Sequence, residues 1–516
     1  MKAATLRAFL SVHSWMGLLA GMALFIAFYA GAITVFSHEL NDWALPSPAP
    51  VSAKAGADPA QSAQALMDAV LARHPRAAES LFLYLPGEHG PVPRLYWYET
   101  APSGAVGHLF EPAADGGVRE LPWRNGFVDF VYDLHYTAGL PRMFGTYLFG
   151  VVSILYGLAL VSGVVLYAPA FLKDLFALRI GRNVKRMWQD AHNVIGILSL
   201  PFHVIFAWSG AVLCLGLVLL IPFDKGVFDG KLMQVLEADF ELVPHVPASG
   251  THATPLPVAE LLARARAASP GLEVQSLSYQ NAGDAAAQVV VYGTRDQRRL
   301  NTMATVALNA ATGKVLRVQE PVTMSPGVAA LRGLQALHFG NYGHMPLKWL
   351  YFLLGLGGAF LFYSGNLLWI ESRRKRRQVK QPPRTHVMAR LSIGVCLGCV
   401  AGISALFIAA RFLPSGQEKF VYYGVFCAAL AWALLRPTAR GTHELLLACA
   451  GLTLLVPLAG LHGAHGLVAP WSDATILLVD LFALLLGWTW ASMARAFRRR
   501  ARDGDPNSVW AWPAPH

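Results

Sequence analysis

Eight long apolar segments limit what this chain of 516 residues can fold into. An α-helix of about 20 apolar residues crosses the hydrocarbon core of a bilayer, and these segments have the length and composition to do so. The composition agrees, since 54% of the residues are hydrophobic and only 14% are charged. The sequence therefore predicts a polytopic α-helical membrane protein with about eight spanning helices, at roughly 9–36, 146–168, 191–221, 347–370, 389–412, 419–436, 443–461 and 475–496.

The formal net charge of +11 indicates a topology rather than a nucleic-acid partner. The basic residues cluster in loops at alternate ends of the apolar segments, and loops of this kind are typically cytoplasmic. Eight spans then place both termini in the cytoplasm and both long polar segments outside. We therefore expect a multi-pass membrane protein that contacts lipid and no nucleic acid; the resemblance described below implies the bacterial inner membrane as its location. The basic clusters lie at 2–7, 173–186, 373–380, 436–440 and 495–502.

The alternation of apolar and polar segments predicts the domain organisation. Each long polar segment has a helical pattern followed by strand-like runs, which indicates a small α+β domain outside the membrane. The tail, rich in Pro and Trp, is expected to be disordered. The predicted division is helix 1 at 1–45, a first periplasmic domain at 46–134, helix 2 at 135–170, a basic cytoplasmic loop at 171–190, helix 3 at 191–222, a second periplasmic domain at 223–337, helix 4 at 338–371, a second basic loop at 372–388, four additional helices at 389–497 and a cytoplasmic tail at 498–516.

The five cysteines all fall within predicted membrane helices, which argues against a disulfide framework. Cys396 and Cys399 have the spacing of a CxxC motif, but on an apolar helix they are expected to be packing residues. The first apolar run follows a basic start and is too long for a cleaved signal peptide. An uncleaved signal anchor is therefore expected.

The first four helices carry an internal repeat. Both copies run from a helix through an outer domain and a Leu-His dipeptide to a second helix, in the same direction across the membrane. They are predicted to be parallel repeats related by an axis along the membrane normal. A shift of 179 places His13 on His192, Gly17 on Gly196 and Gly31 on Gly210; a shift of 203 places Leu134-His135 on Leu337-His338; a shift of 202 places Ser162-Gly163 on Ser364-Gly365.

Four histidines occupy repeat-matched positions in this arrangement. His13 and His192 follow basic inner residues, whereas His135 and His338 precede inward-going helices, so one pair is expected near each leaflet. Iron in haem b takes an axial nitrogen from each face of the porphyrin, and two histidine pairs therefore suit two haems. A lone histidine in a membrane helix is more often a packing residue. A proton relay would usually bring acidic partners, and the first four helices have essentially none in mid-span.

A fifth histidine, His203, lies eleven residues after His192 and so on the same helix face. It has no repeat mate, because it aligns with Leu24. It could replace or supplement an outer haem ligand, line a quinol site, or be hydrogen-bonded internally. Basic residues near the ends of the helices are candidate partners of haem propionates: Arg7, Arg142, Lys185 and Lys348.

The layout resembles the PepSY-associated transmembrane-helix family, and within it the iron-regulated inner-membrane ferrisiderophore reductases. The outer segments are similar to PepSY domains, most clearly residues 255–320, and the resemblance covers about 1–385. It implies haem binding and the reduction of Fe(III) in periplasmic siderophores, which releases Fe(II) for iron acquisition. The stretches that carry it are His13-Ser-Trp15-Met-Gly17, Leu134-His135, Asp190-Ala-His192-Asn-Val-Ile-Gly196 with Pro201-Phe-His203, Leu337-His338-Phe-Gly340 and the Ser-Gly pairs ending helices 2 and 4.

The leading functional prediction is a haem-dependent transmembrane ferric reductase. Electrons would enter at a haem held by His13 and His192, pass to one held by His135 and His338, and reach a ferric siderophore at the outer domains. No GxGxxG fingerprint for a flavin or nicotinamide occurs, so the donor is expected to be a membrane quinol or a cytoplasmic reductase. The alternatives are a non-enzymatic PepSY protein that binds or inhibits a periplasmic partner, and a transporter.

Overall fold

A computed structural model shows two compact units in this chain. The helical unit comprises Met1–Ser47, Arg124–Leu219 and Gly343–His516, and the sheet unit comprises Pro48–Trp123 and Leu220–Tyr342. The structure describes residues 3–44, 58–87, 92–101, 104–113, 117–121, 126–171, 179, 184–240, 246–295, 299–343, 345–373, 381–463, 466–467 and 474–513.

Within these described ranges, eight helices are long and apolar enough to cross a membrane. This confirms the predicted polytopic helical architecture. Helices are the expected solution, because the bilayer core offers no water to backbone N–H and C=O groups and a helix satisfies them internally. The eight are α1 (Ala3–Thr34), α5 (Arg142–Tyr167), α7 (Leu200–Gly226), α11 (Met345–Arg373), α12 (Pro383–Phe412), α13 (Glu418–Leu435), α14 (Thr438–Gly460) and α15 (Ala474–Asp503).

Burial differs sharply among these helices and shows which of them form the interior. In α12, 83% of the most apolar window is buried, whereas the figure for α7 is 17%. Helix α12 packs against α13 and α14, and α1 packs between α5 and α11. Large apolar side chains such as Met143 and Trp208 are exposed on α5 and α7, as expected of surfaces that meet lipid tails.

Three shorter helices also belong to the helical unit: α2 (Ser37–Ala44), α4 (Gly126–Thr137) and α6 (Val184–Leu198). The predicted single helix at 191–222 is in fact α6 followed by α7, with a break at Ser199. The cause is Pro201, which has no N–H to donate to the carbonyl four residues earlier. At the break, both the N–H and the hydroxyl of Ser199 donate to the Ile195 carbonyl, at 3.0 and 2.6 Å.

His135 also lies elsewhere than at the start of a spanning helix. It belongs to α4, which ends two residues later at Thr137. A turn with positive φ at Ala138 (52°) and Gly139 (77°) separates α4 from α5. The predicted boundary between an outer domain ending at 134 and a helix beginning at 135 therefore cuts through a short helix of the helical unit.

The sheet unit contains both long polar segments, and each has the predicted order of a helix followed by strands. The first has α3 (Pro59–Arg73), a short 3₁₀ turn, β1 (Ser80–Tyr84), β2 (Arg94–Ala101), β3 (Gly104–Pro112) and β4 (Val118–Leu121). The second has α8 (Leu232–Phe240), α9 (Val258–Ala268), β5 (Glu273–Gln280), β6 (Gln288–Thr294), β7 (Met303–Asn309), β8 (Val315–Gln319) and α10 (Pro326–Phe339).

The two sets of strands form one antiparallel sheet of eight strands, in the order β4-β3-β2-β1-β5-β6-β7-β8. The sequence predicted two small domains, and the structure joins them through β1 and β5. Leu81 pairs with Tyr279 and Leu83 pairs with Leu277 across this join. An edge strand exposes unpaired N–H and C=O groups, and the pairing of two edges satisfies both. Apolar side chains of α3, α9 and the sheet then form a single core.

The C-terminal tail is ordered where the structure describes it, so the prediction of disorder is wrong. Val509 is 2% exposed and packs with Leu367 and Ile370 of α11. The indole Nε1 of Trp510 donates to Glu371 at 3.0 Å. Bulky apolar side chains in a tail of this kind are buried when the fold offers them a groove, and composition alone does not show whether it does.

A buried arginine ties α12 to two other elements of the helical unit. Arg411 is 5% exposed, and its guanidinium donates to the carbonyls of Trp43 (2.5 Å), Ala459 (3.3 Å) and Gly460 (2.6 Å). It also lies 4.9 Å from the centre of the Trp43 ring. These carbonyls belong to α2 and to the end of α14, where helical hydrogen bonding stops and acceptors are left over.

We expect Arg411→Leu to lower the stability of the folded protein by about 2–4 kcal/mol, since it leaves buried carbonyls without a donor. The measurement is the unfolding midpoint in a denaturing-detergent titration. Arg384→Leu is the matched control, because Arg384 is an exposed residue of the same helix. Equal midpoints for the two variants would contradict this role for Arg411.

Candidate functional site

Helices α1 and α6 bring two of the predicted ligands together. The rings of His13 and His192 have their centroids 6.1 Å apart, with an angle of 78° between the ring planes. A metal bound to two imidazole nitrogens at about 2.0–2.1 Å each places the ring centroids about 6 Å apart. We call these two residues the histidine pair. This spacing is close to the one that two imidazoles would have if both bound one metal atom.

Each ring of the histidine pair is held by a backbone carbonyl of a neighbouring helix. His13 Nδ1 donates to the Ala159 carbonyl at 2.8 Å, and His192 Nδ1 donates to the Leu361 carbonyl at 3.1 Å. A carbonyl can only accept, so Nδ1 carries the proton and Nε2 keeps its lone pair. Within the described part of the chain, neither Nε2 has a hydrogen-bond partner. This is how metal-binding histidines are usually oriented.

The two Ser-Gly motifs of the repeat lie directly at these contacts. Ser162 Oγ donates to the Ala159 carbonyl at 3.0 Å, and Ser364 Oγ donates to the Leu361 carbonyl at 2.9 Å. The two acceptor residues are separated by the same shift of 202 as the two serines. Each histidine is therefore held by the same local arrangement on its own partner helix.

The glycines of these motifs leave room for the imidazole rings. A Cβ on Gly163 would lie 3.0 Å from His13 Cε1, and one on Gly365 would lie 3.3 Å from His192 Cε1. Both distances are shorter than ordinary van der Waals contact, so a larger residue would displace the ring. The motif thus combines a close approach at glycine with a serine that binds the same carbonyl as the histidine.

His135 lies against α1 at a second level. Its Nδ1 donates to the Ala27 carbonyl at 2.7 Å, and a Cβ on Gly31 would lie 2.5 Å from that same nitrogen. The fourteen residues from His13 to Ala27 correspond to about 21 Å along the helix axis. The helical unit therefore holds histidines at two depths, both with Nδ1 bonded to a carbonyl.

His338 belongs to the sheet unit, where it is the penultimate residue of α10. Its ring contacts that of Phe339, with 5.3 Å between the centroids. Gly340 caps this helix in the left-handed conformation, with φ 65°. The pairing of His338 with His135 stays a prediction.

His203 is completely buried beside α5 and α11. Its Nδ1 is hydrogen-bonded to the hydroxyl of Tyr156, and no described residue offers a hydrogen bond to its Nε2. Phe28 and Phe362 pack around the ring, at centroid distances of 5.7 and 6.2 Å. Internal hydrogen bonding, one of the three alternatives left open by the sequence, is therefore present on one side of the ring.

Tyr156 is a residue to which the sequence patterns did not point. Its hydroxyl contacts His203, and its ring packs on Phe28 and Phe362. The internal repeat offered a signal for Tyr156, because the shift of 202 aligns it with Gly358, a residue of very different size. That glycine lies against His203, because a Cβ added to it would be 3.3 Å from the Cε1 atom of His203. A large residue in one repeat and a glycine in the other thus accommodate the unpaired histidine.

Two of the candidate propionate partners have acidic neighbours. Arg142 forms an ion pair with Asp133 at 2.9 Å, and Lys348 forms one with Glu39 at 2.9 Å. Both pairs are partly exposed to solvent. The propionate role of Arg7, Arg142, Lys185 and Lys348 stays a prediction.

The composition of the site restricts the kind of metal that it suits. Among the described residues, no three or more His, Cys, Asp or Glu side chains gather where they could hold a metal ion. The histidine pair supplies two neutral nitrogens and no negative charge. A bare divalent ion needs about four protein ligands, whereas haem iron brings four equatorial nitrogens of its own and needs two. The residues present fit haem.

Comparison with known proteins identifies the family of the chain. The family model described as the PepSY-associated TM region matches residues 10–372. A curated relative, the uncharacterized protein PA4219 of Pseudomonas aeruginosa, is 29% identical over 404 residues, which cover 71% of this chain and 96% of the relative. The residues that match the family model contain all five candidate histidines and both Ser-Gly motifs. By this match to well over half of its length, the chain belongs to the PepSY-associated transmembrane family.

Proposed function

We propose that this protein is an inner-membrane haem b protein that moves electrons across the membrane to reduce Fe(III) in periplasmic siderophores. The observation that carries the proposal is the histidine pair, with its 6.1 Å ring separation and its two available Nε2 atoms. The family relationship supports a membrane protein with an associated PepSY region, and the finer activity is our inference.

The chain's own contribution is to fix the axial ligands in position and protonation. Haem, when bound, supplies reversible one-electron chemistry at its iron. The Ala159 and Leu361 carbonyls keep both imidazoles in the tautomer that presents Nε2. The site is thereby suited to electron transfer, which needs a rigid ligand set and little reorganisation on reduction.

A second pair at the other depth would extend the path toward the siderophore. His135 is held on α1 in the same manner as the histidine pair, and the sequence repeat is our basis for His338 as its partner ligand. The substrate gains one electron for each iron, as Fe(III) becomes Fe(II). The siderophore then releases the iron, because hard oxygen ligands bind Fe(II) much less tightly than Fe(III).

A visible spectrum of the purified protein tests the haem assignment. We expect a low-spin b-type Soret and α band in the reduced-minus-oxidised difference, and a loss of at least about half of the haem in His13→Ala and in His192→Ala, since iron needs both axial nitrogens. His38→Ala is the control and should keep its haem. No b-type spectrum would leave the non-enzymatic PepSY protein or the transporter as the function, and unchanged haem in both variants would rule out this pairing.

The Ser-Gly motif gives a sharper test at a residue that ligates nothing. Gly163→Val should displace the His13 ring and lower haem content or shift the Soret band, because the added atoms overlap the imidazole. Gly157→Val is the matched control on the same helix, since a Cβ at Gly157 meets nothing within 4 Å. Equal spectra for the two variants would show that the glycine does not hold the ligand in place.

The reductase activity is tested directly in proteoliposomes. Protein pre-reduced with dithionite should be reoxidised by ferrioxamine B added on the PepSY side, with Fe(II) captured by ferrozine. His192→Ala should lower this rate about tenfold or more, since one missing axial ligand disrupts the haem site. Haem-loaded protein that is not reoxidised by the ferric siderophore would exclude it as substrate, and a faster response to Cu(II) would point to copper instead.

A further inference from the structure

A cavity of about 550 Å³ lies inside the helical unit, between the repeat helices and the last four helices. Its walls come from α1, α6, α11, α12, α14 and α15, and the ordered tail closes part of it. A volume of this size accommodates a drug-sized organic molecule. Neither the histidine pair nor the sheet unit contributes to its lining.

The interior of the cavity is apolar and rich in aromatic rings. Aromatic walls of this kind favour a flat, uncharged ring system that stacks against them. Aliphatic side chains such as those of Leu397 and Leu446 form an apolar surface that suits a hydrocarbon chain. The aromatic lining residues are Phe25, Tyr29, Trp188, Phe360, Tyr363, Trp490, Phe497 and Trp510.

Two tyrosine hydroxyls in the lining have no hydrogen-bond partner in the part of the chain that the structure describes. They belong to Tyr29, which is 4% exposed, and to Tyr363. A polar group that lines a cavity and has no protein partner is satisfied by water or by a bound molecule. A ligand with polar oxygen atoms on an otherwise apolar ring would supply these partners.

The charged residues of the cavity balance one another. Lys185 and Arg500 lie at the end where α6 begins and α15 ends, together with Glu371 and Asp505. Among the described lining residues, these two basic and two acidic groups carry no net charge. A phospholipid phosphate would favour an excess of basic groups, whereas an uncharged ligand requires none. The carboxylates also provide acceptors for protons that a ligand releases.

The cavity and the histidine pair lie on different faces of the same helix. On α11, Phe360 and Tyr363 line the cavity, while Leu361 and Ser364 contact His192. On α6, Trp188 lines the cavity one turn before His192, and its ring lies 5.9 Å from that of Phe360. A helix with its side chains is about 10–12 Å across, a distance over which electrons transfer readily between bound redox groups.

From these contacts we infer that the cavity binds a membrane quinol and that this quinol is the electron donor. The role of the quinol as electron donor rests on the proposed reductase function, whereas its binding in the cavity does not. Oxidation of one quinol gives a quinone, two protons and two electrons, and the two electrons reduce two Fe(III) to two Fe(II). The protons leave at the charged end of the cavity, and the electrons leave across α11.

Quinone binding is measured on the purified full-length chain by quenching of tryptophan fluorescence with decylubiquinone, since three tryptophans line the cavity. We expect saturable quenching that weakens about tenfold in Ala496→Phe, because the added ring fills the cavity. Tyr29→Phe should weaken it about fivefold by removing one hydrogen bond. Ala491→Phe, on the same helix but outside the lining, is the matched control and should bind like the native protein.

A second measurement separates this inference from the proposed function. Decylubiquinol should reduce the haem of the native protein and of Ala491→Phe but not of Ala496→Phe, whereas dithionite, which bypasses the cavity, should support ferrioxamine B reduction in all three. Equal quenching in Ala496→Phe and Ala491→Phe would overturn the quinol site, even if the protein is a reductase. Displacement of decylubiquinone by a phospholipid at stoichiometric amounts would also overturn it, by identifying a lipid site.

Discussion

The hydrogen bond from an imidazole Nδ1 to a helix carbonyl is the interaction on which the candidate site depends. It occurs at His13 and at His192 with the same geometry, each on the partner helix of its own repeat. Because the bond places the proton of each ring on Nδ1, it leaves Nε2 of both histidines with an available lone pair. Without it, two histidines in apolar helices would adopt whatever contacts their neighbours offered.

The hydrogen bond from the imidazole to the carbonyl forms only where the two helices approach closely. A side chain at Gly163 or Gly365 would hold the histidine ring away from the carbonyl, so the glycines and the hydrogen bonds require each other. The same requirement recurs at Gly31, which lies against His135. In a bilayer, where apolar burial does not drive helices together, small residues and interhelical hydrogen bonds are the usual means of association. Here the same residues also position the histidines.

The last four helices gain a role from this arrangement. They have no counterpart of the histidine motifs, yet α12, α14 and α15 form one side of the cavity whose other side is α6 and α11. Arg411 connects α12 to the ends of α2 and α14 by hydrogen bonds to their carbonyls. An electron donor bound there would be as close to the histidine pair as the thickness of one helix allows.

The sequence by itself determined the membrane class, the eight spans, the helix-then-strand order of both outer segments and the residues of the histidine pair. Each of these follows from a local pattern or from internal symmetry: long apolar runs, alternating strands, and matching positions such as His13 and His192. The features that only the tertiary structure decided depend on contacts between distant segments of the chain. These include the joining of β1 to β5 into one sheet, the binding of Tyr156 to His203, the burial of Val509 in the tail, and the cavity. No local pattern encodes such contacts, because an unpaired strand edge, a buried hydroxyl or an apolar tail acquires its partner only when the chain is folded.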